Sequence, residues 1–177
     1  MNKSYKYRLY PNKEQEMLIQ KTFGCVRFVY NQTLAHRINL YETEKKSMSK
    51  FDCNTYCTRI LKKEYEWLNE VDKFALTNSI YNMDNAFQNF FKYNTGYPKF
   101  KSKKNNYKSY KTNCNYYENC RPSIEVDFEK NMIKLSKLKW VKCKIHRKFT
   151  GTIKSATISQ TPSGKYYISI NIDCENI

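Results

Sequence analysis

Lysine and aromatic residues alternate between residues 99 and 111, so side chains that bind phosphates stand beside side chains that stack on bases. The lysines are Lys99, Lys101, Lys103, Lys104, Lys108 and Lys111, and the rings between them are Phe100, Tyr107 and Tyr110. Lysine ammonium groups neutralise phosphates, and a ring stacked on an unpaired base contributes about 1–3 kcal/mol. The pattern favours polynucleotide binding. A disordered basic linker with buried aromatic residues is the alternative.

A second basic row follows further along the chain, at Lys137, Lys139, Lys142, Lys144, Arg147 and Lys148. Lys142 and Lys144 lie two residues apart on a predicted strand, so they point to the same face. A protein that follows a nucleic-acid backbone would use such a face. The two segments together predict RNA or phosphate contacts at Lys99, Lys101, Lys103, Lys104, Tyr110, Lys111, Lys142 and Lys144.

The residue pattern gives no positive sign of an active site. Metal-dependent phosphodiester hydrolysis needs several carboxylates around one or two cations, whereas the glutamates here are scattered beside lysines, as on solvated helix surfaces. The two histidines, His36 and His146, stand near no obvious nucleophile. The seven cysteines lack C-x-x-C spacing, so we expect reduced thiols and no metal site. We predict no catalytic residues.

The overall charge indicates a polyanionic partner. The 177 residues carry 32 Lys and Arg against 16 Asp and Glu, a net charge of +16. Repulsion between so many like charges destabilises the compact state unless a polyanion neutralises them. A membrane surface is disfavoured, because no predicted helix combines a lysine-rich face with a broad apolar one. Since the sequence shows neither an apolar run of about 18 residues nor a signal peptide, we expect a soluble cytoplasmic protein.

Helical periodicity dominates the first half of the chain. A strand is predicted over residues 3–10, with Tyr5, Tyr7 and Leu9 on one face. Asn12 and Gln15 then have the spacing of a capping box that opens a helical run over 13–45. Gly24 is expected to break this run into two helices, because glycine costs about 1 kcal/mol relative to alanine inside a helix.

Two further helices are predicted before residue 93. Asp52 is expected to cap a helix over 52–65, and Asp72 is expected to cap a helix over 72–92 with a narrow apolar stripe. The expected inward residues of the first are Tyr56, Ile60 and Leu61. Together with the run over 13–45, these helices predict a small helical bundle.

Alternation with period two begins after residue 123, whereas loop and irregular structure is expected over 93–122. The turn Thr161-Pro162-Ser163-Gly164 predicts a hairpin between strands at 152–160 and 165–172. These short antiparallel strands, with the first strand as partner, predict an α+β fold. It consists of a small antiparallel β-barrel of the oligonucleotide-binding kind with a helical bundle inserted after its first strand. The predicted domains are the first barrel strand (1–11), the helical domain (12–95), and the basic loop with the rest of the barrel (96–177).

Short motifs that occur in order along the chain resemble the N-terminal part of the OrfB/TnpB proteins of bacterial insertion sequences. They lie at residues 7–11, 23–31, 67–68, 70–76, 89–91, 96–103, 109–112, 138–142 and 161–167. The resemblance implies an RNA-guided DNA endonuclease family, a barrel called the wedge domain and an inserted helical recognition domain. It also implies the helix-turn-helix, DNA-binding label that older descriptions of such transposases carry.

The resemblance further implies partners and contact residues. Wedge and recognition domains of the family hold a guide RNA and read a short target-adjacent motif in double-stranded DNA. The residues that match the DNA-reading surface are Lys73, Phe74, Thr77, Phe51 and Asn115. Two alternatives stay open: Phe74 could belong to the core, and Lys73 could be an ordinary surface charge in the first helical turn.

The family's RuvC-type nuclease domain, with its divalent metal and zinc finger, follows the last matched motif in other members. We therefore expect neither enzyme activity nor a cofactor in this chain, which would be a nucleic-acid-binding short form or fragment. The alternatives are one half of a split nuclease with a separately encoded partner, a nuclease-dead DNA-binding regulator, and a decayed transposase relic.

Overall fold

The computed structural model describes residues 1–104 and 107–174. They form two compact units, called here the sheet unit (Met1–Lys21 with Asn106–Ile177) and the helical unit (Thr22–Asn105). Strands make up most of the first and helices most of the second, so the predicted α+β class is confirmed.

Seven antiparallel strands build the sheet unit, in the spatial order β2-β6-β7-β1-β5-β4-β3. They are β1 (Asn2–Tyr10), β2 (Lys108–Asn113), β3 (Glu125–Asp127), β4 (Met132–Leu135), β5 (Lys139–Lys144), β6 (Thr152–Gln160) and β7 (Tyr166–Asp173). In the described part of the chain, β2 and β3 are edges that do not pair with each other. The sheet is therefore open, and the expected barrel is not closed.

The two edges of the sheet nevertheless meet at one corner. The Ser123 N–H donates a hydrogen bond to the Asn115 carbonyl oxygen (3.3 Å), and the Asn115 N–H donates to Ser123 Oγ (2.9 Å). These bonds join the residues after β2 to the residues before β3. Among the described residues they are not continued as a ladder, and β3 pairs with β4 alone.

Strand β2 lies in the segment 93–122 that was predicted to be irregular, and that prediction is wrong for this part. Tyr110 and Thr112 point into the core and are 6% and 1% exposed, whereas Lys111 between them is exposed. Tyrosine and threonine favour strands, but the lack of aliphatic residues hides the alternation in the sequence.

The inner face of the sheet forms the core of the sheet unit. Tyr7 and Leu9 of β1 are each 1% exposed, and the three isoleucines of β7 are fully buried beside them. Lys6 and Arg8 alternate with these residues and lie on the opposite face. The predicted alternation of β1 and the predicted hairpin of β6 and β7 are both confirmed.

The start of helix α1 (Lys13–Glu44) is tied to the sheet. The predicted capping box is present: the Gln15 N–H donates to Asn12 Oδ1 (2.9 Å), and the Asn12 N–H donates to Gln15 Oε1 (3.0 Å). The Gln15 amide nitrogen also donates to the carbonyl oxygens of Leu138 (3.1 Å) and Trp140 (2.9 Å). This one side chain thus caps the helix and anchors it to the start of β5.

Helix α1 continues through Gly24, so the expected break into two helices is wrong. Phe23 and Cys25 on either side are 5% and 2% exposed, and their packing outweighs the roughly 1 kcal/mol that glycine costs in a helix.

Helix α2 (Lys50–Tyr56) is capped by Ser49 and not, as expected, by Asp52. Ser49 Oγ accepts from the Asp52 N–H (3.1 Å), and the Asp52 carboxylate accepts from the Ser49 N–H (3.0 Å). Asp52 is therefore the third helical residue of a capping box. At the end of α2, the half-buried Tyr56 stacks on His36 with ring centroids 4.0 Å apart.

The predicted third helix is divided into short pieces. A π-helical turn (Cys57–Leu61) follows α2 and is succeeded by α3 (Lys62–Glu64) and a 3₁₀ turn (Glu66–Glu70). The wider turn changes the facing of the side chains. Leu61 is 1% exposed as expected, but Ile60, also expected to face inward, is 49% exposed.

Helix α4 (Lys73–Tyr93) begins at its predicted cap, where the Asp72 carboxylate accepts a hydrogen bond from the Phe74 N–H (2.9 Å). It ends at Asn94, which has the left-handed φ of 53° common at helix ends. Four members of the predicted apolar stripe on α4 are buried, Leu76, Ile80, Met83 and Phe87, whereas the fifth, Phe90, is half-buried.

Candidate nucleic-acid interface

The centre of the sheet carries a basic and aromatic face on the side opposite to the core. This outer sheet face consists of Lys6, Arg8 and Tyr10 on β1, Lys142 and Lys144 on β5, and Tyr167 on β7. The strand register brings the three strands together: Arg8 lies opposite Lys144 on one side and Tyr167 on the other. The predicted pair Lys142 and Lys144 therefore belongs to a surface that spans three strands.

Cations and rings contact one another on the outer sheet face. Lys6 Nζ lies 4.9 Å from the centroid of the Tyr167 ring, and the Arg8 guanidinium lies 5.1 Å from the Tyr10 ring and 5.7 Å from the Tyr167 ring. Arg8 Nε is buried and, among the described residues, has no hydrogen-bond partner. A donor of this kind is costly to leave unmatched, so it favours an acceptor from outside the chain.

The positive charge of this face is not neutralised within the described residues, where none of its four cations forms an ion pair. Carboxylates lie at the margins of the sheet and are already engaged. Glu125 on the edge strand β3 contacts Lys134 Nζ at 2.7 Å. Asp173 at the end of β7 contacts the N-terminal ammonium at 3.4 Å and Lys154 Nζ at 3.9 Å.

The sequence prediction did not include four residues of this face, Lys6, Arg8, Tyr10 and Tyr167. Strand alternation in β1 predicts that Lys6, Arg8 and Tyr10 lie on one face, because the three residues have the same parity. Tyr167 joins them only because β7 pairs with β1, and this long-range pairing is not visible in local sequence patterns.

The start of α4 carries three of the five predicted DNA-contacting residues. Lys73 is exposed, and its Nζ lies 5.2 Å from the ring centroid of Phe74. Phe74 itself is half-buried, so it belongs partly to the core and partly to the surface. Thr77 Oγ1 donates to the Lys73 carbonyl oxygen (3.2 Å) and lies 3.4 Å from Asn54 Oδ1 on α2.

Phe51 lies on the first turn of α2 and is 67% exposed. Lys50 Nζ is 5.4 Å from the centroid of the Phe51 ring and 5.2 Å from that of Tyr81 on α4. The contact between Thr77 and Asn54 joins the same two helices. We call the surface formed by Lys50, Phe51, Asn54, Lys73, Phe74 and Thr77 the helical surface. Asn54 and Lys50 were missed by the sequence prediction.

Asn115, the fifth predicted DNA-contacting residue, lies in the sheet unit. Its side-chain nitrogen donates to the Tyr117 hydroxyl (3.0 Å), and its backbone takes part in the corner described above. Asn115 is half-buried and its side chain is already engaged in the loop after β2.

The basic segment 99–104 is fixed to α1 and is not a loose linker. Asn31 forms two hydrogen bonds with the backbone of Lys101, one to its carbonyl oxygen (2.9 Å) and one from its N–H (2.8 Å). Lys101 Nζ lies 4.4 Å from the ring centroid of Tyr30, and partial burial lowers the Lys101 pKa. The backbone of Lys101 thus attaches the segment to α1. The side chains of all four predicted phosphate contacts in the segment are exposed, namely Lys99, Lys101, Lys103 and Lys104.

The remaining predicted contacts in this region differ in accessibility. Lys111 is exposed on β2. Tyr110 is only 6% exposed, so little of its ring is accessible for stacking, and its predicted contact stays a prediction. Phe100 and Tyr107, at 57% and 65% exposed, are the accessible rings of the segment.

The remaining features are the possible metal ligands, the cysteine thiols and the longer helices. Among the described residues, no group of three or more His, Cys, Asp and Glu side chains is placed to hold a metal ion. Burial raises the pKa of Cys53, Cys57 and Cys143 to about 11, so these thiols are protonated at neutral pH. Within residues 1–104 and 107–174, no helix is both long and apolar enough to cross a membrane.

Comparison with protein families gives a match over residues 1–46 to the helix-turn-helix domain of IS605 OrfB proteins. In this structure, the matched residues form β1 and the single uninterrupted helix α1, with no turn between two helices.

InsQ of Escherichia coli (strain K12), named as an RNA-guided DNA endonuclease, is 28% identical over 173 residues, covering 97% of this chain and 40% of InsQ. Virulence protein VsdF of Salmonella dublin is 32% identical over 113 residues, covering 58% of this chain and 95% of VsdF. A chain in a cryo-EM structure of a Cas12f1–sgRNA–target DNA complex aligns with 99% of this chain and 49% of its own length, at 12% identity and a TM-score of 0.47. This chain therefore spans less than half the length of InsQ.

Proposed function

Because the chain belongs to the OrfB/TnpB family and matches its N-terminal part, we propose that it binds a guide RNA and double-stranded DNA bearing a short target-adjacent motif. Cationic side chains neutralise the phosphates, aromatic rings stack on unpaired bases, and the helical surface reads the motif. The observation that carries this proposal is the outer sheet face, where cations without ion pairs among the described residues contact the exposed ring of Tyr10 and the half-buried ring of Tyr167.

The spacing of the outer sheet face suits a polynucleotide backbone. Lys142 and Lys144 lie two residues apart on β5, which corresponds to about 7 Å along a strand. In a duplex each strand carries one charge per about 3.4 Å of helix axis. The two lysines can thus meet phosphates on the same nucleic-acid strand, while Tyr10 and Tyr167 offer rings to bases that are unpaired.

The helical surface supports DNA reading through side chains rather than through the helix end. The Asp72 carboxylate already accepts the hydrogen bond of the Phe74 N–H at the start of α4, and its negative charge would repel a phosphate there. We therefore assign phosphate binding to Lys73 and base contacts to Thr77 and Asn54, since threonine hydroxyls and asparagine amides bind base edges in grooves. Asn115 is proposed as a further DNA contact from the sheet unit.

We propose that the chain binds without cutting and needs no metal or other cofactor to do so. The divalent metal and zinc finger of the family belong to its nuclease domain, and a separately encoded nuclease half is a proposed partner. In this proposal the wedge domain comprises 1–11 and 96–177 and the recognition domain comprises 12–95, with boundaries that stay a prediction.

Binding to single-stranded RNA and duplex DNA, followed by fluorescence anisotropy between 50 and 200 mM salt, tests the proposal. Removing two phosphate contacts with the double variant Lys142→Gln/Lys144→Gln should reduce the logarithmic salt slope by about 1.4 for single strands and about 1.8 for duplex DNA. The control Lys63→Gln/Lys130→Gln removes the same charge from two exposed lysines outside the candidate surfaces and should leave the slope unchanged.

The same assay defines the results that contradict the proposal. If the unaltered chain binds neither RNA nor DNA at 50 mM salt, the assigned function is wrong. Equal slopes for the two double variants would remove the outer sheet face from the interface. Binding should be unchanged in EDTA, and cleavage of either nucleic acid by the purified chain in magnesium would refute binding without cutting.

A further inference from the structure

A cleft of about 550 Å³ lies at the beginning of β1 and is separate from the outer sheet face. It is lined by Lys3, Ser4, Tyr5, Arg147 and Lys148. Lys3 and Tyr5 have the opposite parity to Lys6 and Arg8 on the same strand, and none of the lining residues belongs to the outer sheet face. The sequence pattern of β1 does not predict that this end of the strand lies next to residues 147 and 148.

Aromatic contacts hold the segment that supplies Arg147 and Lys148 against β1. The His146 ring meets the Tyr7 ring with centroids 5.4 Å apart, and the Phe149 ring meets the Tyr5 ring at the same distance. The Tyr7 hydroxyl donates a hydrogen bond to the Arg147 carbonyl oxygen. Burial raises the pKa of Tyr7, so its hydroxyl keeps this proton at neutral pH.

Arg147 is also positioned by its own side chain, because its guanidinium lies 5.1 Å from the ring centroid of Tyr5. The backbone and the side chain of this arginine are therefore both attached to β1. Such a group loses little freedom when it binds a ligand, which raises affinity.

The charge of the cleft is strongly one-sided. Three of its five lining residues are cations, none of the five is acidic, and over the described ranges Lys3, Arg147 and Lys148 form no ion pair. Ser4 adds a hydroxyl group. A guanidinium presents paired N–H donors that match phosphate oxygens, and lysines add point charges.

We propose that this cleft is a phosphate-binding subsite of the polynucleotide interface, an inference that rests on the proposed function. The bound phosphate can be either the 5′-terminal phosphate of an RNA or an internal phosphodiester, and both present phosphate oxygens to the cleft. A terminal phosphate is close to dianionic at neutral pH because its second pKa lies near 6, whereas an internal diester carries one charge.

The test compares two versions of one short single-stranded RNA, with a 5′-phosphate and with a 5′-hydroxyl, by anisotropy. The cleft variant is Arg147→Gln/Lys148→Gln, and the matched control is Lys63→Gln/Lys130→Gln. If both altered groups contact phosphate, the salt slope falls by about 1.4, which corresponds to about 25-fold weaker binding in 0.1 M salt. The control should change binding less than about 3-fold, because its lysines lie outside the interface.

The two RNAs distinguish the sources. A loss confined to the 5′-phosphorylated RNA assigns the terminal group to the cleft, and an equal loss for both RNAs assigns an internal phosphate. Lys3→Gln provides an independent variant on β1 that should follow the same pattern with about half the change in slope. Circular dichroism melting of each variant confirms that the fold is retained.

A cleft variant that binds both RNAs as the control does would overturn the subsite. That failure differs from failure of the proposed function, in which the unaltered chain binds neither RNA even at 50 mM salt.

Discussion

An ion pair inside the helical unit offers a sharp test of how α1 and α4 are held together. Arg37 on α1 and Asp84 on α4 are 12% and 11% exposed at their side chains, with the guanidinium 2.9 Å from the carboxylate. The Arg37 guanidinium also lies 4.1 Å from the centroid of the Phe87 ring. Both charges are thus removed from water and depend on each other.

The variant Arg37→Met removes one partner and leaves the Asp84 carboxylate buried without its counter-charge. Breaking a buried pair in this way costs about 3–5 kcal/mol of unfolding free energy, whereas replacing both partners by apolar groups is often neutral. We therefore expect Arg37→Met to be strongly destabilised. The double variant Arg37→Met/Asp84→Leu should recover most of the loss, to within about 1 kcal/mol of the unaltered chain.

Urea unfolding followed by circular dichroism measures these free energies. The exposed pair Lys46 and Glu44, 3.7 Å apart with side chains 70% and 53% exposed, supplies the control: Lys46→Met should cost about 0–1 kcal/mol. The reasoning is refuted if Arg37→Met costs no more than Lys46→Met, or if the double variant is as unstable as the single one.

Three further substitutions or modifications test local features. Asn12→Ala removes the cap acceptor at the start of α1 and should cost about 1 kcal/mol in urea unfolding, whereas Asn12→Asp should retain it. Gly151→Ala should destabilise the chain by about 1–3 kcal/mol in urea unfolding, because φ is +131° and a Cβ would lie 2.6 Å from the Asp173 carbonyl oxygen of β7. The control Gly96→Ala should leave the unfolding free energy unchanged, because no atom lies within 4 Å of the added Cβ. With its pKa raised to about 11, Cys53 should resist iodoacetamide at pH 8 until the chain unfolds, whereas the exposed Cys120 reacts at once, as read by mass spectrometry.

The features predicted correctly from the sequence are those decided by neighbouring residues. The capping box of Asn12 and Gln15 and the cap at Asp72 need only atoms within three residues. The hairpin between β6 and β7 is decided by its turn, and the shared face of Lys142 and Lys144 follows from strand parity. Each of these signals is local, so no knowledge of distant contacts is required.

Most of the predictions that failed depend on burial by distant parts of the chain, and the one at Ile60 depends on a local change of helix type. Gly24 stays helical because its neighbours are packed, and Ile60 is exposed because a π-helical turn changes the direction of its side chain. Tyr110 sits in a polar, lysine-rich stretch that indicates solvent, but its pairing with Ile158 on β6 places the ring in the core. In the candidate interface, Tyr167 was missed for the same reason, since only the register of β1 with β7 brings it beside Arg8.

The two candidate phosphate-binding surfaces of the sheet unit are connected through β1, which contributes alternate residues to each. Lys3 and Arg8 are five residues apart, or about 17 Å along a strand, and lie on opposite faces. Strand β1 is flanked by β7 and β5, so a polynucleotide that reaches both surfaces must pass around the beginning of the strand. We therefore propose that the two surfaces bind phosphates that are not consecutive. Because the two surfaces are far apart and share no side chain, their contributions to the binding free energy should be nearly additive. Combining Lys142→Gln/Lys144→Gln with Arg147→Gln/Lys148→Gln should therefore weaken binding by the product of the two separate factors.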